Sequence, residues 1–400
     1  VDYVAANSFL NAFADANRGA RPYAITAINW GVWKGVGMVG GATAAAPSPE
    51  LEHSSATDLT TGYPLFSRHF SARDGLTHVH WFAGTFSAER DWVIDEHRLA
   101  NGEALLPGTG YLELIRAALQ EVGTGSWQIN NLLFQTPLFV MAGEPRDFRV
   151  RLRGDDDRWE VDVLARRAGT TTSDDLWDTC AGARASRLTT APAAVSVADI
   201  EARCGVKVTN AGGTSALRTR QEDHLRFGDR WRVLKRLGIG REEALAHLQL
   251  APAFASDLEH YGLHPGLLDI ATGCAMDLIP GYAEQEVAQS LWAPILYREF
   301  KYFAPLPADL FSWVRLSKES APASGYAAFD VTLCDAGGNV VAEVTQLTLR
   351  RIEGAILAPA RGTPAGQTAE GAPVVAKSKP ATPGEIALQH NVSQGIDASS

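Results

Sequence analysis

One pattern occurs twice in this chain, and it constrains the fold more than any other feature. Leu106-Pro107-Gly108-Thr109-Gly110-Tyr111-Leu112 is echoed by His264-Pro265-Gly266-Leu267-Leu268-Asp269-Ile270, and each segment opens a helical pattern. Downstream of each helix comes a strand-like run ending in Pro-Leu, at 133–138 and at 301–306, followed by alternating strands at 148–152 and 311–316. The second copy closes with runs at 329–333 and 340–344, split by the hairpin signal Asp335-Ala336-Gly337-Gly338-Asn339. A helix followed by several antiparallel strands, given twice, predicts an α+β fold with two sheets that each wrap a central helix. Duplicated architectures commonly build one site where the halves meet.

The 400 residues allow two or three domains. A formal charge of −10 argues against nucleic acid as a partner, because the field of the whole protein repels a phosphate backbone. Cys180, Cys204, Cys274 and Cys334 form no CxxC pair and have no histidine at ligand spacing, so reduced buried thiols are expected, with neither a metal site nor a disulfide framework. The sequence has no apolar run long enough to span a bilayer and no signal-peptide pattern at its start, which makes the cytoplasm the expected location. Val1 already lies inside a helix-like rhythm and the chain stops at a bare Ser399-Ser400, the expected look of a piece excised from a longer polypeptide. Gly, Ala and Pro dominate 40–60, read as a linker; 187–220 reads as a crossover between halves at 61–186 and 221–353; and 354–400 has too little apolar content to pack.

The chemistry concentrates at the two Pro-Gly segments. His97 stands ahead of Gly102, Pro107 and Gly108, a punctuation that holds an imidazole against a helix N-terminus. Asp269 follows Pro265, a favoured first helical residue, by about one turn. A histidine and a carboxyl facing one cavity can act as base and acid. The plain alternatives are a capping or core histidine and a carboxylate held by the helix dipole. Tyr111, Leu114, Ile115 and Ala118 recur at helical spacing as a core face.

These residues resemble the dehydratase domains of modular polyketide synthases over roughly 63–353. That resemblance implies a double hot-dog fold. Such domains carry His-x-x-x-Gly-x-x-x-x-Pro and His-Pro-x-x-x-Asp; here the first has one extra residue before Gly102, and the second is intact from His264 to Asp269. A third motif, Tyr-Gly-Pro-x-Phe, is matched by Phe227-Gly228-Asp229-Arg230-Trp231, without the tyrosine hydroxyl. Where many relatives place Gln or His four residues after the Asp, this chain has Gly273, so something else must orient Asp269.

The resemblance implies a hydro-lyase that converts a 3-hydroxyacyl thioester to a 2,3-enoyl thioester, with the substrate on the phosphopantetheine of an acyl carrier protein and no cofactor or metal in the chain itself. His97 is then the base and Asp269 the acid. Gly108 is a backbone donor to the thioester carbonyl, or else a glycine needed for tight packing. Pro107, Gly102, His264, Pro265, Phe227 and Gly228 complete the expected substrate site, with His264 read mainly as structural. Two other readings keep these residues: a dehydratase that also closes a cyclic ether by oxa-Michael addition, and a decayed module kept for carrier docking.

The cluster Arg226, Arg230, Arg232, Lys235 and Arg236 is either a carrier-docking patch or a solvated basic face. Tyr3-Val4-Ala5-Ala6-Asn7 and Ile28-Asn29-Trp30-Gly31-Val32-Trp33 resemble the end of a ketoreductase domain, which makes 1–39 an expected ketoreductase fragment and neighbouring synthase domains expected partners. The family also implies a homodimer.

Overall fold

The computed structural model describes residues 62–74, 77–167, 176–209, 217–282 and 290–352. The expected ketoreductase fragment, the linker at 40–60 and the segment 354–400 lie outside the described residues.

The first half supplies strands β1 (Arg68–Asp74), β2 (Thr77–Phe86), β3 (His97–Leu99), β4 (Ala104–Leu105), β5 (Trp127–Phe134), β6 (Phe139–Val140), β7 (Arg146–Gly154), β8 (Arg158–Arg166) and β9 (Trp177–Arg187). With them come a short helix α1 (Trp92–Asp95) and a long one, α2 (Gly108–Val122). The crossover contributes α3 (Val197–Arg203) and β10 (Val206–Thr209). The second half supplies β11 (Leu225–Phe227), β12 (Leu234–Ile239), β13 (Glu243–Gln249), α4 (Pro265–Gly273), β14 (Trp292–Tyr302), β15 (Asp309–Leu316), β16 (Tyr326–Cys334) and β17 (Val340–Arg351).

The sheets of the two halves join edge to edge into 13 strands in the order β1-β2-β7-β8-β9-β5-β14-β17-β16-β15-β13-β12-β10. From the β5/β14 junction outward, the first half runs β9, β8, β7, β2, β1 and the second runs β17, β16, β15, β13, β12, so the duplication seen in the sequence is a palindrome in space. The junction is an antiparallel pairing from Leu296↔Leu133 to Tyr302↔Trp127. It satisfies two rows of backbone donors and acceptors that would otherwise be open edges. A smaller sheet, β11-β3-β4-β6, carries the first Pro-Gly segment.

Helix α2 is buried on more than the expected face. Tyr111, Leu114, Ile115 and Ala118 are in the core as their spacing predicts, yet Glu113 and Arg116 are buried too. Arg116 donates from Nε and Nη2 to both carboxylate oxygens of Glu113, at 2.7 and 2.8 Å, and Glu113 Oε2 also accepts the Leu263 N–H at 2.7 Å. The loop before α4 therefore covers the polar side of α2. The crossover is more structured than its composition implies: Ser196 caps α3 through the Asp199 N–H, and Ile200 and Cys204 pack with Leu245, Phe311, Cys334 and Val340 in a second, smaller core. All four cysteines are free and buried. At the β16–β17 hairpin, Asp335 Oδ1 accepts the Gly337 and Asn339 N–H groups, the Asx turn that such a sequence favours. No helix among the described residues is long and apolar enough to cross a membrane.

Candidate active site

Strand β3 holds His97 between two neighbours: His97 faces Phe227 of β11, and Arg98 faces Ala104 of β4. His97 is 6% exposed, and its Nδ1 lies 3.0 Å from the Leu105 carbonyl oxygen. A carbonyl can only accept, so Nδ1 carries the proton and Nε2 presents its lone pair. Burial lowers the His97 pKa, more than the nearby Asp269 raises it, which favours the neutral ring that a base requires. The extra residue after His97 does not disturb this. It is taken up in the β3–β4 turn, where Gly102 adopts φ +92° and its N–H bonds to the Leu99 carbonyl at 2.8 Å. Only glycine occupies that region without strain.

Asp269 comes from α4. Pro265 takes the first helical position and His264 is the N-cap, its Nδ1 accepting the Leu267 N–H at 3.2 Å. Thr109 Oγ1 donates to the Pro265 carbonyl at 3.1 Å and ties the first turn of α2 to the first turn of α4. This brings the two Pro-Gly segments side by side, and Asp269 Oδ2 lies 3.9 Å from His97 Nε2. Burial raises the Asp269 pKa, opposed by His97 and by a hydrogen bond from Trp231. The carboxyl is thus driven toward its protonated form, the state of an acid.

That hydrogen bond answers what orients Asp269 in place of a side chain at Gly273. Trp231 Nε1 donates to Asp269 Oδ2 at 2.8 Å. The third motif forms a 3-10 turn, Asp229–Trp231, and the turn is held from several sides. The Gly228 N–H bonds to the Glu96 carbonyl at 2.9 Å and the Arg230 N–H to Glu96 Oε2 at 2.8 Å. The Arg230 guanidinium reaches Glu96 Oε1 at 2.6 Å and Asp257 Oδ2 at 2.7 Å. Asp257 in turn lies 3.6 Å from His264 Nε2. One network therefore joins the residue before His97, the turn bearing Trp231 and the cap of the helix bearing Asp269. Gly266 permits the final approach, since a Cβ there would lie 2.6 Å from the Arg230 carbonyl oxygen and 3.2 Å from the Trp231 ring.

His97 and Asp269 open onto a cavity of about 390 Å³ with mostly apolar walls, among them Leu106, Phe134, Met276, Trp292 and Leu349. Of the expected substrate residues, Pro107, Gly108 and Phe227 line it. Gly102, His264, Pro265 and Gly228 stand outside this lining: Gly102 makes the β3–β4 turn, His264 and Pro265 start α4, and Gly228 anchors the Trp231 turn. Phe227 stacks beside His97 with ring centroids 5.7 Å apart, so the position lacking a hydroxyl supplies an apolar wall. The basic cluster is partly paired. Arg230 pairs with Glu96 and Asp257, Arg232 with Glu222 and Arg236 with Glu201, so three of its five cations have carboxylate partners within the chain.

Sequence reasoning missed Trp231, Thr272 and Tyr297. Thr272 and Tyr297 line the cavity near Asp269, and Thr272 Oγ1 donates to the Leu268 carbonyl at 2.9 Å. The sequence signal for Trp231 was the indole N–H at a position where the third motif has a phenylalanine.

Gly108 is the first residue of α2, where an N–H has no carbonyl partner within the helix, and it lines the cavity. A Cβ there would lie 2.9 Å from Pro294 Cγ and 3.4 Å from the Phe134 ring. Gly108→Ala is therefore expected to cost about 1–3 kcal/mol of stability through overpacking and to lower activity at least tenfold. Thermal unfolding and turnover measured on one preparation check this; an alanine variant as stable and active as the parent would rule out the tight packing as a requirement at Gly108.

Two family models match the chain. One described as the polyketide synthase dehydratase domain covers residues 63–166, and one described as the polyketide synthase dehydratase N-terminal domain covers 192–359. Polyketide synthase PksM of Bacillus subtilis (strain 168) is 22% identical over 314 residues, 76% of this chain and 7% of that protein, so the chain spans a small part of the curated relatives it matches. Among solved structures, the dehydratase domain from the CurJ module of curacin polyketide synthase superposes with a TM-score of 0.62 at 19% identity, covering 72% of this chain and 96% of that one. A trans-AT polyketide synthase dehydratase domain from Brevibacillus brevis gives 0.59 at 20% identity, covering 74% and 100%. The fold in common is the double hot-dog.

Proposed function

Because residues 63–359 belong to the polyketide synthase dehydratase family, we propose that this chain eliminates water from a 3-hydroxyacyl thioester delivered on the phosphopantetheine of an acyl carrier protein. One observation carries the reading: His97 Nε2 and Asp269 Oδ2 stand 3.9 Å apart at the wall of one apolar cavity, the first biased toward neutral and the second toward protonated. His97 Nε2 takes the proton from the α carbon, and the electrons of that C–H bond form the α,β double bond. The β C–O bond breaks as Asp269 gives its proton to the hydroxyl, which leaves as water. The Gly108 N–H bonds to the thioester oxygen while enolate character develops there. Imidazolium and carboxylate remain, and the pair resets when that one proton returns through the released water.

In the active state Asp269 is protonated and His97 Nε2 is not, so activity falls on both sides of an optimum. On the acid side His97 gains a proton, at a pH below the usual histidine range because its pKa is lowered. On the basic side Asp269 loses its proton, at a pH above the usual carboxylate range because its pKa is raised. Asp269→Asn cannot ionise and is expected to lack the basic limb while turning over about 10²–10⁴-fold more slowly. The test is mass-spectrometric detection of water loss, about 18 mass units, from 3-hydroxyacyl carrier-protein substrates of both hydroxyl configurations across a pH series. Wild-type protein that leaves every such substrate intact would overturn the reading in favour of a docking module.

A further inference from the structure

We propose that Trp231 is the positioning residue of the catalytic acid: its indole N–H occupies Asp269 Oδ2 and so leaves Oδ1 to carry and deliver the proton. The inference rests on the dehydratase reading and adds to it the device that holds the acid in place.

The carboxyl has few neighbours able to do this. Around Asp269, β3 contributes His97, whose Nε2 at 3.9 Å is too distant for a hydrogen bond and bears a lone pair in the active state. Strand β14 contributes the phenol of Tyr297, and α4 itself contributes Thr272, whose hydroxyl bonds to backbone carbonyls of its own helix. The turn Asp229–Trp231 contributes the indole at 2.8 Å, the one side-chain hydrogen-bond donor to this carboxyl among the described residues. An indole N–H donates only, so the oxygen facing it must be an acceptor whether the acid is protonated or ionised. The carbonyl oxygen of a protonated carboxyl is the better acceptor, so this bond favours the proton on the other oxygen.

The surroundings of Trp231 fit a fixed donor. It is 2% exposed and lies against Phe227 and Trp92, with ring centroids at 6.1 and 5.9 Å. Its turn is fastened by the Glu96–Arg230–Asp257 ion pairs. Gly273, four residues after Asp269 and hence on the same face of α4, presents open space: a Cβ there meets no atom within 4 Å. The acid is held from the neighbouring turn, and the space beside it belongs to the cavity.

Trp231→Phe keeps the ring and removes the donor. Without that N–H the ionised carboxylate is less stabilised, so the basic limb of the pH profile moves to higher pH. We expect kcat to fall about ten- to a hundredfold, with KM within about threefold. Adding Gly273→Gln supplies an amide donor from the same helix face and is expected to return the limb toward its original position and recover part of kcat. A purely structural tryptophan would lower kcat and the melting temperature while leaving the limb in place. Folded Trp231→Phe protein with an unmoved limb overturns the proposal.

A second measurement needs no Trp231 variant. In ¹⁵N-indole-labelled wild-type protein, one indole N–H resonance should titrate with the basic limb and stop titrating in Asp269→Asn; if none does, the proposal fails. The resonance arm needs no substrate, so its success in a protein that dehydrates nothing would condemn the dehydratase reading alone. A dehydrating wild type with no titrating indole would condemn the role of Trp231 alone.

Discussion

His97→Ala is expected to lower kcat for water loss by about 10²–10⁴-fold, the range over which a positioned general base acts. The substitution removes the lone pair that takes the α proton, while Asp269 and Gly108 remain in place to hold the substrate. KM should therefore change little and nearly all of the loss should appear in kcat. The acid limb of the pH profile, which reports protonation of the imidazole, should vanish with it. Structural damage is expected to be small, because His97 contributes one hydrogen bond, to the Leu105 carbonyl, and a ring packed against Phe227. Single-turnover kinetics with a 3-hydroxyacyl carrier-protein substrate, alongside thermal melts, separate the two effects. Retention of more than about a tenth of wild-type turnover would exclude His97 as the base.

The second large effect lies away from the cavity. Glu113→Ala is expected to destabilise the fold by about 3–5 kcal/mol, because it leaves the Arg116 guanidinium buried without its carboxylate and the Leu263 N–H without an acceptor. The side chains of Glu113 and Arg116 are only 1% and 9% exposed, so water cannot take over these bonds. In thermal unfolding this corresponds to a drop on the order of 10 °C. Replacing both residues by apolar side chains of similar volume should cost far less, since no lone charge is then stranded. A single variant that melts within about 2 °C of the parent would show that the pair is solvated in practice.

The sequence made the parts of this site visible more readily than their arrangement. His97 and Asp269 were legible because each sits at a fixed offset from a Pro-Gly segment, and that punctuation reflects local backbone chemistry at a helix start. The repeat likewise foretold a helix and its strands, twice over. The continuity of the 13-stranded sheet was not legible, because the β5–β14 pairing joins strands more than 150 residues apart and either strand could equally have remained an edge. Trp231 escaped for a related reason. It bonds to a carboxyl 38 residues away, and no periodicity distinguishes an indole aimed at an acid from one buried in a core. Glu113 and Arg116 lie off the apolar face that the helical spacing marks; their burial became intelligible once the loop before α4 was seen to cap them.

The spatial palindrome also dictates an order of events during synthesis. Strand β14, the inner strand of the second half, pairs with β5 of the first half on one side and with β17 on the other, and β17 is the last strand described. Leu347 and Leu349 of β17 wall the cavity. A nascent chain that has emerged through Asp269 thus carries His97 and Asp269 without the wall that β17 adds to their cavity. The exposed edge of β5 meanwhile waits for a partner that is still being made. The wall of the cavity is therefore complete only once β17 has been made.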